Sequence, residues 1–205
     1  MVYNIVMKKI GILGGTFDPI NNGHIYLAQT ALESCKLDKV VFLPLNVPPH
    51  KKAPTADSKI RYELVSKAIG NTLEFIASDM EINRKGTTYT VDTLTEIKNI
   101  NTDWDIYYII GTDSLYDLHK WKDINKLFKL CTFVCMSRPG TDINNQEQYA
   151  ARLAKSYGGS IIVLPSMGKN VSSTLIRRAS SSELSELVPL EIIDDVKKFY
   201  VKEEL

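Results

Sequence analysis

The stretch GILGGTFDPINNGHIYLA at residues 11–28 joins an apolar run to a helix-period run through a turn rich in glycine and almost free of charge. Upstream, Ile10, Ile12 and Leu13 read as a short strand. Downstream, Ile25, Ala28, Leu32 and Cys35 recur at helical spacing. A strand, a tight turn and a helix start leave unpaired N–H groups at the positive end of the helix dipole, a combination that favours an anion. Gly14 and Gly15 open the turn, Asp18 and Pro19 bend it, and Gly23 and His24 set an imidazole on the first helical turn. Glycines let a bulky phosphate approach the backbone closely. Their spacing matches neither the dinucleotide fingerprint G-x-G-x-x-G nor the P-loop, so this phosphate turn belongs to another class.

Further apolar runs follow at residues 39–45, 73–77, 105–110, 131–136 and 160–165. Helix-period segments separate most of them: Ile60, Leu64, Val65 and Ala68 behind an Asp57 cap, then Val91, Leu94 and Ile97 behind a Thr90 cap, then Tyr149, Leu153 and Ala154. This alternation predicts an α/β, Rossmann-like, doubly wound and mostly parallel sheet with helices on both faces. Ligands of such sheets lie at the carboxyl ends of the strands. No repeat or linker divides the chain, so all 205 residues read as a single domain, with residues 1–6 a ragged extension and residues 172–205 a helical end that completes the phosphate site. The proline- and lysine-rich residues 44–58 read as a mobile lid or a rim rather than a domain boundary.

A net charge of +1 argues against a long nucleic acid as the main partner and suits a small phosphorylated ligand. No apolar run approaches the roughly 20 residues that span a bilayer, and no secretory leader is evident, so a cytoplasmic protein with no membrane partner is expected. Cys35, Cys131 and Cys135 read as small core residues, with no bound metal expected.

A second anion cradle lies at N-V-S-S-T-L-I-R-R-A-S, residues 170–180. Ser172 or Ser173 can cap a helix, hydroxyls and N–H groups there can hold phosphate oxygens, and Arg177 can add a charge-assisted bond. The plain alternative is a Ser-capped helix with solvated arginines. Two such cradles on one sheet suit a polyphosphate.

With these two motifs the chain resembles the bacterial nicotinate-nucleotide adenylyltransferases, of the nucleotidyltransferase superfamily marked by a [HT]-x-G-H turn and a distal S-S-T-x-x-R helix. The likeness runs from Lys9 to about Tyr200 and includes PPHK at residues 48–51, TYTVDTL at 88–94, IIGTDSL at 109–115, LHKW ending at Trp121 and SRPG at 137–140. It implies transfer of AMP from ATP to nicotinate mononucleotide, giving deamido-NAD and pyrophosphate, with Mg²⁺ carried in by ATP. It further implies that His24, Lys51 and Arg177 act on phosphate oxygens. Gly14, Gly15, Thr16, Phe17, Gly23, Ser172, Ser173 and Thr174 would line ATP, and Gly111 with Asp113 would take its ribose. Trp121 would stack on the pyridine, Tyr89 and Thr90 would donate to its carboxylate, and Arg138 would flank that pocket or hold a phosphate. Asp113 as a helix cap and Trp121 as ordinary packing are the plain alternatives.

The pattern breaks at Asn21, which stands where the family carries histidine or threonine. An amide can donate a neutral hydrogen bond but cannot become cationic. This leaves open a tolerated variant, a substitution that slows turnover, or a homologue that binds nucleotide with little catalysis. Rival acceptors are nicotinamide mononucleotide and phosphopantetheine. A homo-oligomer is compatible with the chain.

Overall fold

Side-chain alternation along the strands decides the layering. The computed structural model describes residues 7–46, 53–84, 86–165 and 171–201. In β1 (Lys8–Gly15), Ile10 and Ile12 enter one hydrophobic cluster and Leu13 the other. After α1 (Asn22–Ser34), β2 (Lys39–Pro44) divides the same way, with Val40 and Phe42 on the face of Leu13 and Val41 and Leu43 on the opposite face. Both faces are therefore covered, which explains the near-continuous apolar strands.

The chain continues through α2 (Ser58–Ile69), β3 (Phe75–Ala77), α3 (Thr90–Ile100), β4 (Trp104–Gly111), α4 (Thr112–Asp117), α5 (Ile124–Leu130), β5 (Thr132–Met136), α6 (Ile143–Tyr157) and β6 (Ile161–Leu164). The six strands stand in the order β3-β2-β1-β4-β5-β6, and every pairing is parallel. The expected α/β, doubly wound Rossmann-like sheet is the one found. Strand order reverses between β1 and β4, so the crevice opens above their carboxyl ends. Those ends carry Gly14 and Gly15 on one strand and Gly111 on the other.

The closing elements are α7 (Ser173–Ile176), α8 (Leu184–Leu187) and α9 (Ile193–Tyr200). Ile176, Leu184, Val188, Ile192, Val196 and Tyr200 are buried in the cluster that holds Leu13 and Phe42, so this end of the chain packs on the face that α1 and α2 share.

Side-chain caps account for four of the nine α-helix starts among the described residues, α1, α2, α6 and α7. Asp57 Oδ1 accepts the Ile60 N–H at 2.9 Å, and Asp142 Oδ1 accepts from Asn144 at 2.9 Å. The expected Thr90 cap is corrected by the structure. Tyr89 holds the cap position with no side-chain bond, while Thr90 is already helical and turns its hydroxyl to Tyr108 instead. The strand expected over residues 73–77 is shorter as well. A turn closes after α2, with Thr72 N–H on Ile69 O at 2.9 Å and Phe75 N–H on Thr72 O at 3.1 Å, and it leaves Leu73 exposed.

All three cysteines are buried, and Cys131 and Cys135 share one cluster. Burial pushes their thiols up, that of Cys135 to about 12, so they pack as neutral hydrophobes. No helix among the described residues is long and apolar enough to cross a membrane.

Candidate active site

The glycines of the first turn are required by protein neighbours. A Cβ at Gly14 would overlap the Tyr108 hydroxyl on β4, and one at Gly15 would stand 3.0 Å from the Phe17 ring. Phe17 has a φ of 48°, and its buried ring meets His24 edge-on at 5.0 Å. Gly111 differs, because nothing lies within 4 Å of its Cβ position. The floor between β1 and β4 is thus open at Gly111 and filled by Tyr108 at Gly14.

A reciprocal capping box fixes His24. Asn21 Oδ1 accepts the His24 N–H at 3.1 Å, and the Asn21 N–H donates to His24 Nδ1 at 3.2 Å. With Nδ1 accepting, a neutral imidazole carries its proton on Nε2 and acts as a donor there. The Asn21 side chain is enclosed, at 1% exposure, and its Nδ2 donates to Ser173 Oγ at 3.4 Å. Both ends of this amide are therefore engaged with protein.

That last bond reaches the second cradle. Ser173 Oγ donates to Pro19 O at 2.9 Å, and Ser172 Oγ accepts the Leu175 N–H at 3.2 Å as the cap of α7. Arg177 Nη1 donates to Asp18 O and stands 3.5 Å from Asp18 Oδ2, while Nη2 donates to Thr174 Oγ1 at 3.2 Å. Two motifs more than 150 residues apart thus interlock around Asp18, Pro19 and Asn21. Because α7 is only four residues long, its dipole is slight, and the positive charge held at this corner is that of Arg177.

Two supporting residues escaped the sequence reading. Asp18, 8% exposed, accepts the N–H of Thr55 at 2.8 Å and of Ala56 at 3.1 Å. Arg61, 1% exposed, donates to four backbone carbonyls: Thr16, Leu45 at 2.6 Å, Asn46 at 3.0 Å and Ala56 at 3.2 Å. Burial pulls its pKa below the usual arginine value, opposed by Tyr200, Asp18 and Asp57. The periodic stripe Arg61, Leu64, Val65 and Ile69 was the signal available, since it puts an arginine on the buried side of α2. Lys51, expected at the phosphates, lies outside the described residues.

At the end of β4, Gly111 caps α4, so Asp113 is not the cap. Its exposed carboxylate instead pairs with Arg138 Nη2 at 2.6 Å. Arg138 therefore stands with the ribose candidate. Across the sheet, Trp121 is half-buried and meets the Tyr108 ring edge-on at 5.9 Å, Thr90 Oγ1 lies 3.5 Å from the Tyr108 hydroxyl, and Lys122 Nζ sits over the Tyr89 ring at 4.4 Å. Beneath them Glu81 is buried and accepts from Thr93 Oγ1 at 2.6 Å. Burial pushes its carboxyl above the usual range, opposed by Thr93 and Arg84. Among the described residues no group of three or more His, Cys, Asp or Glu side chains could hold a metal ion.

Comparison with known proteins bears on the family and the fold. The cytidylyltransferase-like family model matches residues 12–179. A Clostridium perfringens protein named "probable nicotinate-nucleotide adenylyltransferase" is 40% identical over 196 residues, covering 94% of this chain and 97% of its own. A Clostridium acetobutylicum protein of the same name is 37% identical, covering 94% and 98%. The structure of Plasmodium falciparum nicotinic acid mononucleotide adenylyltransferase complexed with NaAD superposes with a TM-score of 0.77 at 18% identity, over 94% of this chain and 96% of that one. On the family model and the close relatives together, the chain belongs to the cytidylyltransferase-like family, within its nicotinate-nucleotide adenylyltransferases.

Proposed function

We propose that the chain joins the AMP unit of ATP to nicotinate mononucleotide, forming deamido-NAD and releasing pyrophosphate. The interlock of the His24 turn with the Arg177 segment carries this reading, because one triphosphate can lie across both. The names of the relatives about 40% identical over nearly the whole chain support the acceptor.

An oxygen of the mononucleotide 5′-phosphate attacks the α-phosphorus of ATP in line, and the bond to the bridging oxygen of the β-phosphate breaks as pyrophosphate leaves. No covalent enzyme intermediate is needed, so the protein's task is to position two anions and stabilise charge on the reacting phosphates. His24 donates through Nε2, the nitrogen that its capping bond leaves protonated. Arg177, held by Asp18 and Thr174, supplies fixed positive charge, and Lys51 adds to it. Asn21 seats His24 and Ser173, which makes its contribution one of placement. Mg²⁺ would enter as part of the Mg-ATP substrate and would offset charge on its phosphates. Asp113 accepts from the ATP ribose beside the open Gly111, and Arg138 steadies it. Trp121, Tyr89 and Thr90 form the pyridine subsite. The same reading puts the enzyme in the cytoplasm, with its nucleotide substrates.

Asn21 supports a second reading, in which nucleotide binds but turnover is weak. One experiment separates the two. Purified protein is mixed with Mg-ATP and, in parallel, nicotinate mononucleotide, nicotinamide mononucleotide or phosphopantetheine. Fastest pyrophosphate release with the nicotinate acceptor, together with deamido-NAD, is the expected result. ATP binding with no dinucleotide from any acceptor would favour the weak homologue, and faster release with another acceptor would reassign the substrate.

A further inference from the structure

The mechanism above leaves the Tyr108 hydroxyl unused, although it stands at the junction of the two subsites. Tyr108 lies on β4, in register with Ile12 of β1, and is 7% exposed. Its hydroxyl occupies the space that a Cβ at Gly14 would need, and on the other side it faces Thr90 Oγ1 at 3.5 Å. Its ring meets Trp121 edge-on at 5.9 Å. One phenol thus touches the phosphate turn and two of the residues assigned to the pyridine.

A hydroxyl pair at 3.5 Å is longer than the ordinary 2.5–3.0 Å of an O–H···O bond, so the two hydroxyls engage each other only weakly, whichever of them donates. Buried hydroxyls without a good partner are costly, and native sites keep them where a ligand or water completes them. Burial, reinforced by the nearby Glu81 carboxyl, pushes the phenol pKa up, so the group is a neutral O–H donor across the physiological range. A carboxylate accepts hydrogen bonds only, whereas a carboxamide also needs an acceptor for its N–H groups. A neutral donor beside Thr90 therefore suits the acid better than the amide.

We propose that the Tyr108 hydroxyl donates a hydrogen bond to the carboxylate of nicotinate mononucleotide, beside Thr90, and so biases the site toward the acid over the amide. This assignment rests on the pyridine subsite of the proposed function. A bond to a charged acceptor is roughly twice as strong as a neutral one, so its loss is felt more by the acid than by the amide.

The test is Tyr108→Phe, which keeps the ring against Trp121 and Phe133 and removes only the oxygen. Dissociation constants of wild type and variant are measured by calorimetry for nicotinate mononucleotide, nicotinamide mononucleotide and a non-hydrolysable ATP analogue, with a thermal melt alongside. Binding of the acid should weaken by about tenfold or more, that of the amide by about threefold at most, and that of the ATP analogue not at all. Equal losses for both mononucleotides, no loss for the acid, or an equal loss for the ATP analogue would overturn the assignment. A wild type that binds the acid yet forms no dinucleotide with Mg-ATP would defeat the functional reading, while the binding comparison would still decide on Tyr108. A wild type that does not bind the acid would overturn both.

Discussion

Replacing Arg61 by methionine keeps much of the aliphatic stem and removes a guanidinium that holds four carbonyls in three separate stretches of chain. Those carbonyls belong to Thr16 in the phosphate turn, Leu45 and Asn46 after β2, and Ala56 before α2. A hydrogen bond from a charged donor contributes about 1.5–3 kcal/mol, and an orphaned buried acceptor costs about 1–3 kcal/mol. Against this stands relief of the buried charge, whose cost is visible in the lowered pKa. The contacts to Leu45 and Asn46, at 2.6 and 3.0 Å, are the well-formed pair, and the 3.2 Å bond to Ala56 is weaker. A net loss of about 3–5 kcal/mol follows. For a chain of this size that is a fall in Tm of about 10 °C. Thermal and urea melts followed by circular dichroism measure it, with Arg61→Lys as an intermediate case that retains the charge but not the fork. A loss below about 1 kcal/mol for the methionine variant would refute the reasoning, since the four carbonyls would then need no donor from Arg61.

Other perturbations separate packing from chemistry. Gly14→Ala places a methyl group onto the Tyr108 hydroxyl, so Tm and affinity for the mononucleotide should fall together, and a melt unchanged within a degree or so would contradict the contact. Asn21→His exchanges a helix cap for a second imidazole, so the melt should weaken by about 1 kcal/mol while kcat rises on the order of a hundredfold. An unchanged kcat would show that position 21 does not limit the chemical step. Glu81 has a folded pKa above its unfolded value of about 4.3, so it binds protons more tightly when folded. Its contribution is fully present below pH of about 4.3 and is lost as pH rises through the raised value. Wild type should therefore lose this increment over that window and Glu81→Gln should not, and parallel pH dependences in urea melts would contradict the assignment.

The sheet was legible because its strands are buried on both faces and its helices keep their period, as Val40 and Phe42 against Val41 and Leu43 show. The two phosphate motifs were legible as motifs, but their interlock was not. Bonds between Ser173 and Pro19, or Arg177 and Asp18, depend on how the closing segment returns to the face of α1. Asp18 read as a turn former, and its burial against Thr55 and Ala56 depends on where the chain re-enters at α2. Arg61 stands on a buried stripe, yet a charge at that spacing reads as solvated until the carbonyls that receive it are in place. Asn21 read as a missing phosphate donor, whereas the structure engages its amide with His24 and Ser173. Thr90 read as a cap because threonine caps helices well, but the adjacent Tyr108 hydroxyl offers it another contact.

The central claim is that the Asn21 to His24 corner and the Ser173 to Arg177 segment form one site, in which the His24 Nε2 proton stabilises the transferring phosphate. Its most direct test is the rate of deamido-NAD formation by His24→Ala, from saturating Mg-ATP and nicotinate mononucleotide, relative to wild type. The account predicts a fall of on the order of a hundredfold or more with ATP-analogue binding largely retained, because the lost donor acts mainly in the transition state. A rate equal to that of wild type would contradict it.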